Sequence, residues 1–429
     1  MKKTKILIAA IVLVLIIGVG TFIAARNAYN NDSSVSSGSG RFATTDRLIQ
    51  SLESRVQSNP KDADALVKLA NAYLQKVRET ADTSYYAKAE KAVNTAAQVD
   101  SKNPEIFATR AAVAYGRHDF KKGLELSQQA VALNPNRAAY HGLVGDGQLE
   151  LGKYSEAIAA YQAMINIRPD LGAFNRIAHV REIYGDIEGA KTALTSAIQA
   201  SSGYPENVAF SQVELGKLHL RTSIDEAEAS FKQALATVPE YEPALHGLAR
   251  VAVARGDTAM ALKFAQQAAL ALPIAQYATD VGDIYSLRGD QKRAAQQYSL
   301  AKLAYQSSSK DGVNTDQEMA LFLADNTREY EAALSKAQSA YQTRPNIYAA
   351  DTLAWAHYKK GNNAEAKKFS QEALRLGEHD PLILYHAGII AIQNDEPTEA
   401  KRYLTKALEI HPHFSIMHVP IAVEELKKL

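Results

Sequence analysis

The sequence has no cysteine among its 429 residues. That excludes disulfides, thiolate metal sites, cysteine nucleophiles and lipid attachment through a cysteine, and it suits an oxidising, extracytoplasmic compartment. Proline and glycine are sparse, at 13 and 23 residues, and tryptophan occurs once, at Trp355. An alanine-rich chain so poor in helix breakers leans to an all-α fold. A basic excess is also missing. Lys2, Lys3, Lys5 and Arg26 lie in the first thirty residues, which hold no acid; without those four, the chain's 48 basic residues become 44 against 47 acidic. A body of net charge −3 with no lysine or arginine run lacks the concentrated positive face that replaces phosphate counterions, so nucleic acid is excluded as a partner.

Catalytic signatures are absent as well. There is no Gly-x-Ser-x-Gly and no His-Glu-x-x-His. His411, His413 and His418 cluster near the C-terminus, but His411-Pro412-His413 sits on a helix stop without an acid at ligand spacing, so no metal is expected. Gly145 to Gly152 is glycine-rich yet is followed by no Lys-Ser/Thr, so it is no phosphate loop. The expectation is a non-enzyme without a cofactor.

What is present is a foldable balance of 46% hydrophobic and 22% charged residues, with one long apolar run. Ile6 to Ala25 carries no charge. Twenty residues in a helix span about 30 Å, the thickness of a bilayer's hydrocarbon core. Ile23 stands at −3 of the best cleavage position, where a small residue is needed, so the run predicts an uncleaved signal anchor, in contact with the lipid bilayer. Three lysines before it and one arginine after it place residues 1–5 in the cytoplasm and the body outside. Residues 26–42, with Ser33 to Gly40 at their centre, form a flexible linker. Residues 43–61 hold a short helix, amphipathic over Asp46 to Gln57.

Prolines of the body recur with a period. Pro135, Pro169, Pro239, Pro273, Pro345 and Pro412 stand 34, 70, 34, 72 and 67 residues apart, one or two units of a two-helix repeat. Within one unit Gly145 is a small residue facing the second helix, Gly152 ends the first helix, and Tyr154, Ala157 and Tyr161 follow before Pro169 stops the second. Other units repeat the pattern, for example Gly216, Ala227, Phe231, Ala234 and Pro239, or Gly388, Ala400, Leu404, Ala407 and Pro412. About ten copies fill residues 62–412, and residues 413–429, with Pro420 as an interruption, form a C-terminal capping helix.

This pattern closely resembles the tetratricopeptide repeat, and more specifically bacterial membrane-anchored proteins of that kind. The resemblance implies a right-handed α-α superhelix extended as a rod, with protein or peptide partners bound in its concave groove. It also implies a cytoplasmic-membrane scaffold that organises an envelope, secretion or cell-wall complex. Positions 2, 5, 9 and 12 of each unit form the stripe that faces the peptide in the family. Read off this chain, the stripe gives a polar wall of Asn175, Arg176 beside it, His179, Glu182, Lys217, His246 and Arg250, whose cations suit a carboxylate. It also gives an aromatic wall of Tyr348, Asp351, Trp355, Tyr358 and Tyr385, next to His386. The alternatives are a ligand-responsive regulator bending at residues 201–207 or 307–316, and a glycan-binding accessory subunit that uses the aromatic wall.

Overall fold

Five of the ten second helices begin behind a short polar residue that caps them. The Asp119, Asp186, Asp257 and Asp290 carboxylates and the Ser223 hydroxyl accept backbone N–H groups of the following turn, satisfying donors that a helix start leaves open. A residue in left-handed backbone closes the preceding turn in every hairpin but the fifth, glycine in several copies and Ala81, His118, Arg328 or Asp395 in others. Local signals thus punctuate the chain into hairpins.

The computed structural model describes residues 39–200 and 205–429; residues 1–38, with the apolar run and most of the linker, lie outside them. All described elements are helical. Helix α1 (Ser39–Ser58) precedes ten hairpins. These are α2 (Ala63–Thr80) with α3 (Tyr85–Val99), α4 (Pro104–Gly116) with α5 (Phe120–Leu133), α6 (Ala138–Glu150) with α7 (Tyr154–Ile167), and α8 (Leu171–Ile183) with α9 (Ile187–Gln199). Then come α10 (Pro205–His219) with α11 (Ile224–Thr237), α12 (Glu242–Ala254) with α13 (Thr258–Ala271), and α14 (Ala275–Leu287) with the longer α15 (Gln291–Lys310). The eighth first helix is α16 (Asp316–Phe322), prolonged by a π turn (Leu323–Thr327), and its partner is α17 (Tyr330–Thr343). The last hairpins are α18 (Ile347–Lys359) with α19 (Asn363–Ala373) and α20 (Pro381–Gln393) with α21 (Pro397–Ile410), and α22 (His418–Lys428) closes the chain. Helix α22 runs through Pro420 unbroken, because a proline in the first turn costs no intrahelical hydrogen bond.

Size complementarity holds each hairpin together. Ala89, Ala157, Ala190, Ala227, Ala261, Ala294, Ala333, Ala366 and Ala400 are all fully buried, one in each second helix except α5, which has Gly123 there, where helices approach too closely for a longer side chain. On several first helices a glycine stands opposite a bulky partner, although Leu194 faces Ala178. A Cβ on Gly216, Gly282 or Gly388 would lie 2.7, 2.5 or 2.6 Å from Phe231, Tyr298 or Leu404. Where the partner is smaller, as at Ser127 or Ala265, the first helix carries Ala111 or Ala249 instead.

The expected extended rod is not what these hairpins build. The superhelix winds until its later units rest on its earlier ones. Asn314 donates its backbone N–H to the Arg117 carbonyl at 3.0 Å, and the Thr83 hydroxyl bonds to Asp311. Asn346 Nδ2 reaches the Glu150 carbonyl at 3.1 Å, and the Tyr154 hydroxyl accepts from Ile347 N–H at 2.9 Å. Apolar surface seals the seam, where Tyr154 and Ile183 share a cluster with Ile347, Ala350, Ala373 and Ile383. Two glycines make the approach feasible. Gly152, at φ +71°, would place a Cβ 2.6 Å from the Pro345 carbonyl oxygen, and Gly185, at φ +80°, would drive one into the His379 ring. Among the described residues no helix is long and apolar enough to cross a membrane.

Candidate functional site

Two grooves open on the inner side of the superhelix, both lined by first helices. The first groove, of about 930 Å³, runs along α4, α6, α8 and α10. Its walls are the stripe positions of consecutive hairpins: Glu105, Ala108 and Ala112, then Asp146 and Leu149, then Asn175 and His179, then Phe210. Successive first helices stack side by side, so residues at one repeat position align into a ladder across the wall. Phe210 is 45% exposed, and His179 and Asn207 are exposed beside it.

The cations expected to meet a carboxylate are already engaged. Arg176 makes a paired contact with Asp146, from Nε at 2.8 Å and NH2 at 2.7 Å, and a third bond to the Gly172 carbonyl. Lys217 is exposed and holds Glu214 at 2.7 Å, and it lines neither groove. Arg250 donates to the His413 carbonyl at 2.8 Å, and His246 bonds to Asp280 and packs on Tyr277. The polar wall is therefore corrected. Its Asn175 and His179 face the first groove, whereas its basic residues are tied into internal bonds and offer no free carboxylate clamp.

Glu182 and Tyr348 come from hairpins four and nine, yet the seam brings them together with Arg221 and Asp380 around a small cleft. Glu182 pairs there with Arg221. Burial lifts the Tyr348 hydroxyl well above its usual range and raises the Asp380 carboxyl, which also caps α20.

The second groove, of about 790 Å³, is lined by α14, the π turn, α18, α20 and the C-terminal segment. It contains Trp355, Tyr358 and Tyr385, but not as an open wall. Trp355 and Tyr385 are each 2% exposed. The indole stacks on His386 at 4.1 Å and Tyr358 at 4.8 Å, and its Nε1 donates to Asp325 Oδ1 at 2.7 Å. His418, arriving from the C-terminal segment, stacks on Tyr385 at 4.7 Å and lies 3.6 Å from Asp325. Asp351 is buried against His386 at 2.8 Å. The expected aromatic platform is thus a packed and hydrogen-bonded cluster, because the C-terminal segment folds back over it instead of covering only the last hairpin. The same segment docks Ile416, 4% exposed, among Leu245, Ala249 and Tyr285.

Further residues at stripe positions line the grooves as well. Gln276, Thr279, Asp283 and Ser286 occupy positions 2, 5, 9 and 12 of hairpin seven, and all four line the second groove. Phe210 is position 2 of hairpin five. The 34-residue period was the signal that locates them. Among the described residues no group of histidine and carboxylate side chains is placed to hold a metal ion.

Two stretches match family models described as tetratricopeptide repeat, residues 109–171 and 382–414. No curated protein matches the chain. Among solved structures the chain is similar to human IFIT1, in a dimer with m7Gppp-AAAA, at 18% identity over 83% of this chain and 85% of that one, with a TM-score of 0.49. It is also similar to yeast Tom70, at 14% identity over 86% of this chain and 96% of that one, TM-score 0.35. A third is the APC/C hetero-tetramer Cut9-Hcn1, at 14% identity over 91% and 94%, TM-score 0.35. The chain carries tetratricopeptide repeats, matched at residues 109–171 and 382–414, within an all-helical array of hairpins.

Proposed function

We propose that this chain is a non-catalytic protein-interaction scaffold that takes a peptide segment of a partner in its first groove. The observation that carries the reading is the groove itself, about 930 Å³ of concave wall. It pairs exposed amide and imidazole groups, Asn207 and His179, with a half-exposed ring, Phe210. Amides suit a peptide main chain, and a ring in a concave wall offers the kind of apolar anchor that dominates binding energy. We further propose that residues 6–25 anchor the chain in a bacterial cytoplasmic membrane with the body outside, where it organises an envelope, secretion or cell-wall complex.

A photo-reactive amino acid at Phe210 tests the groove in living cells. The expected result is one dominant cross-linked partner at Phe210 and none at Ile158, an exposed residue of α7. Equal capture at both positions, or none at either, refutes the groove reading. Protease added to intact spheroplasts tests the anchor. It should degrade the body, and full protection would place the body in the cytoplasm.

A further inference from the structure

The second groove contains a carboxylate, Asp283, that forms no ion pair with a basic side chain and feels only the more distant charge of Arg250. Five acids line it. Asp280 is bonded by His246 and by Gln276, Glu318 pairs with Arg344 at 2.6 Å, Asp325 with Lys359 at 3.3 Å, and Glu425 with Lys428 at 2.8 Å. Asp283 receives only neutral donors, the Tyr298 hydroxyl at 2.9 Å and Asn326 Nδ2 at 3.2 Å, both on Oδ1. The groove's own cations are Lys359, already held by Asp325, and Arg328, exposed just after the π turn. Beside Asp283 stand three rings that line the same cavity, with Phe322 5.7 Å from Tyr305 and 6.3 Å from Tyr298.

We infer that the second groove docks a basic segment of a partner protein, with one lysine or arginine side chain set against Asp283 and bordered by Tyr298, Tyr305 and Phe322. A cation there gains a charge-assisted hydrogen bond in a largely water-excluded site, and the ring faces favour its positive charge further. A carboxylate of an acidic segment would meet Asp283 as a like charge, so the groove discriminates by charge. This rests on the scaffold reading in general but assigns a different groove and a partner of defined chemistry. The environment of Asp283 agrees with it. Burial first, and then the Asp280 and Asp325 carboxylates, push its pKa up to about 7 against the opposing pull of Tyr298 and Arg250.

The test uses the full chain in detergent and a fluorescein-labelled Gly/Ser decapeptide carrying two arginines, read by anisotropy at pH 8 against the same peptide with two glutamates. The arginine peptide should bind and the glutamate peptide should not. Asp283→Asn, which keeps the side-chain shape, should weaken binding about tenfold. Gln276→Lys, which supplies an internal cation from an exposed position, should do the same, and Phe210→Ala in the first groove should leave it unchanged. Each variant is accepted only with an unaltered helical circular dichroism spectrum. No binding of the arginine peptide, equal binding of the glutamate peptide, or full affinity in Asp283→Asn overturns the inference. Loss in Phe210→Ala with none in Asp283→Asn places the peptide in the first groove, which overturns this assignment and leaves the scaffold reading standing.

Discussion

The carboxamide nitrogen of Asn346 lies 3.1 Å from the backbone carbonyl oxygen of Glu150, although the two residues are 196 positions apart. Around them Arg344 pairs with Glu318 at 2.6 Å and approaches Glu150 at 3.7 Å, and its guanidinium covers the Phe120 ring. Burial raises the Glu150 carboxyl while Arg344 opposes the rise.

A matched pair of glycine substitutions isolates this seam. Gly152 and Gly256 adopt the same left-handed backbone, at φ +71° and +77°, but a Cβ on Gly256 meets nothing within 4 Å. Gly256→Ala should cost about 1 kcal/mol, the strain of that backbone for a residue with a side chain. Gly152→Ala must also push Pro345 away, and should cost at least about 1 kcal/mol more. Urea unfolding gives the energies. Solution scattering should show a larger radius of gyration for Gly152→Ala alone, and equal effects at both sites would deny the seam a role in stability.

Size matching inside the hairpins predicts non-additivity. Gly388→Ala forces a Cβ to 2.6 Å from Leu404, which is fully buried, and should cost about 2 kcal/mol. Leu404→Ala alone should cost about 3 kcal/mol through the cavity it leaves. Together they recreate the Ala249 and Ala265 combination of hairpin six, so the double variant should be more stable than the sum by about 1 kcal/mol or more. Strict additivity in a double-mutant cycle would show that the glycine answers to something else.

Acid should loosen the C-terminal segment through His411. Burial, helped by Arg250 and Arg221, pushes its pKa down to about 3 in the folded chain, against roughly 6.5 unfolded. Between those values the unfolded state binds the extra proton, so the contribution is intact above pH 6.5 and is lost progressively as pH falls toward 3. At pH 5 the loss is about 2 kcal/mol. His411→Gln should therefore lose less thermal stability than the parent between pH 7.5 and pH 5, and parallel melting curves would rule His411 out.

Asp283 carries the opposite sign. Its folded pKa of about 7 exceeds the unfolded value of roughly 3.9, so the folded state holds the proton more tightly and stability declines as pH rises from about 4 to 7. Asp283→Asn should be more stable than the parent at pH 8, by on the order of 2 kcal/mol, with the gain fading at pH 4. A gain that does not depend on pH would deny the carboxylate its charge at pH 8.

The helical hairpins were legible because their determinants are local. Gly145, Gly152, Ala157 and Pro169 each act within a turn or two of chain, and the period multiplies the signal. The stripe was legible for the same reason, since Asn175 and His179 do line the first groove. What failed to show was everything that depends on the accumulated rotation from unit to unit. Asn346 reads as a helix cap, which it is, and nothing near it in sequence announces Glu150. Trp355 sits at a stripe position that points inward on any such repeat. Whether it meets solvent or protein is decided by His418, more than sixty positions away, and by the path of the segment that carries it. Arg176 looked available because Asp146 belongs to the preceding unit.

The seam also alters what kind of object this array is. An open stack of repeats obeys nearest-neighbour energetics and can be shortened from an end, one unit at a time, with proportionate losses. Here the segment from Asp311 to Ile383 braces the first four hairpins, so removal of the C-terminal units strips support from the N-terminal half of the molecule. Nor can a nascent chain complete its early hairpins' packing before the final ones have left the ribosome. The contacts that close the coil must wait for nearly the whole polypeptide, which makes closure the slow, entropically costly step of folding and gives the entire body a single fate.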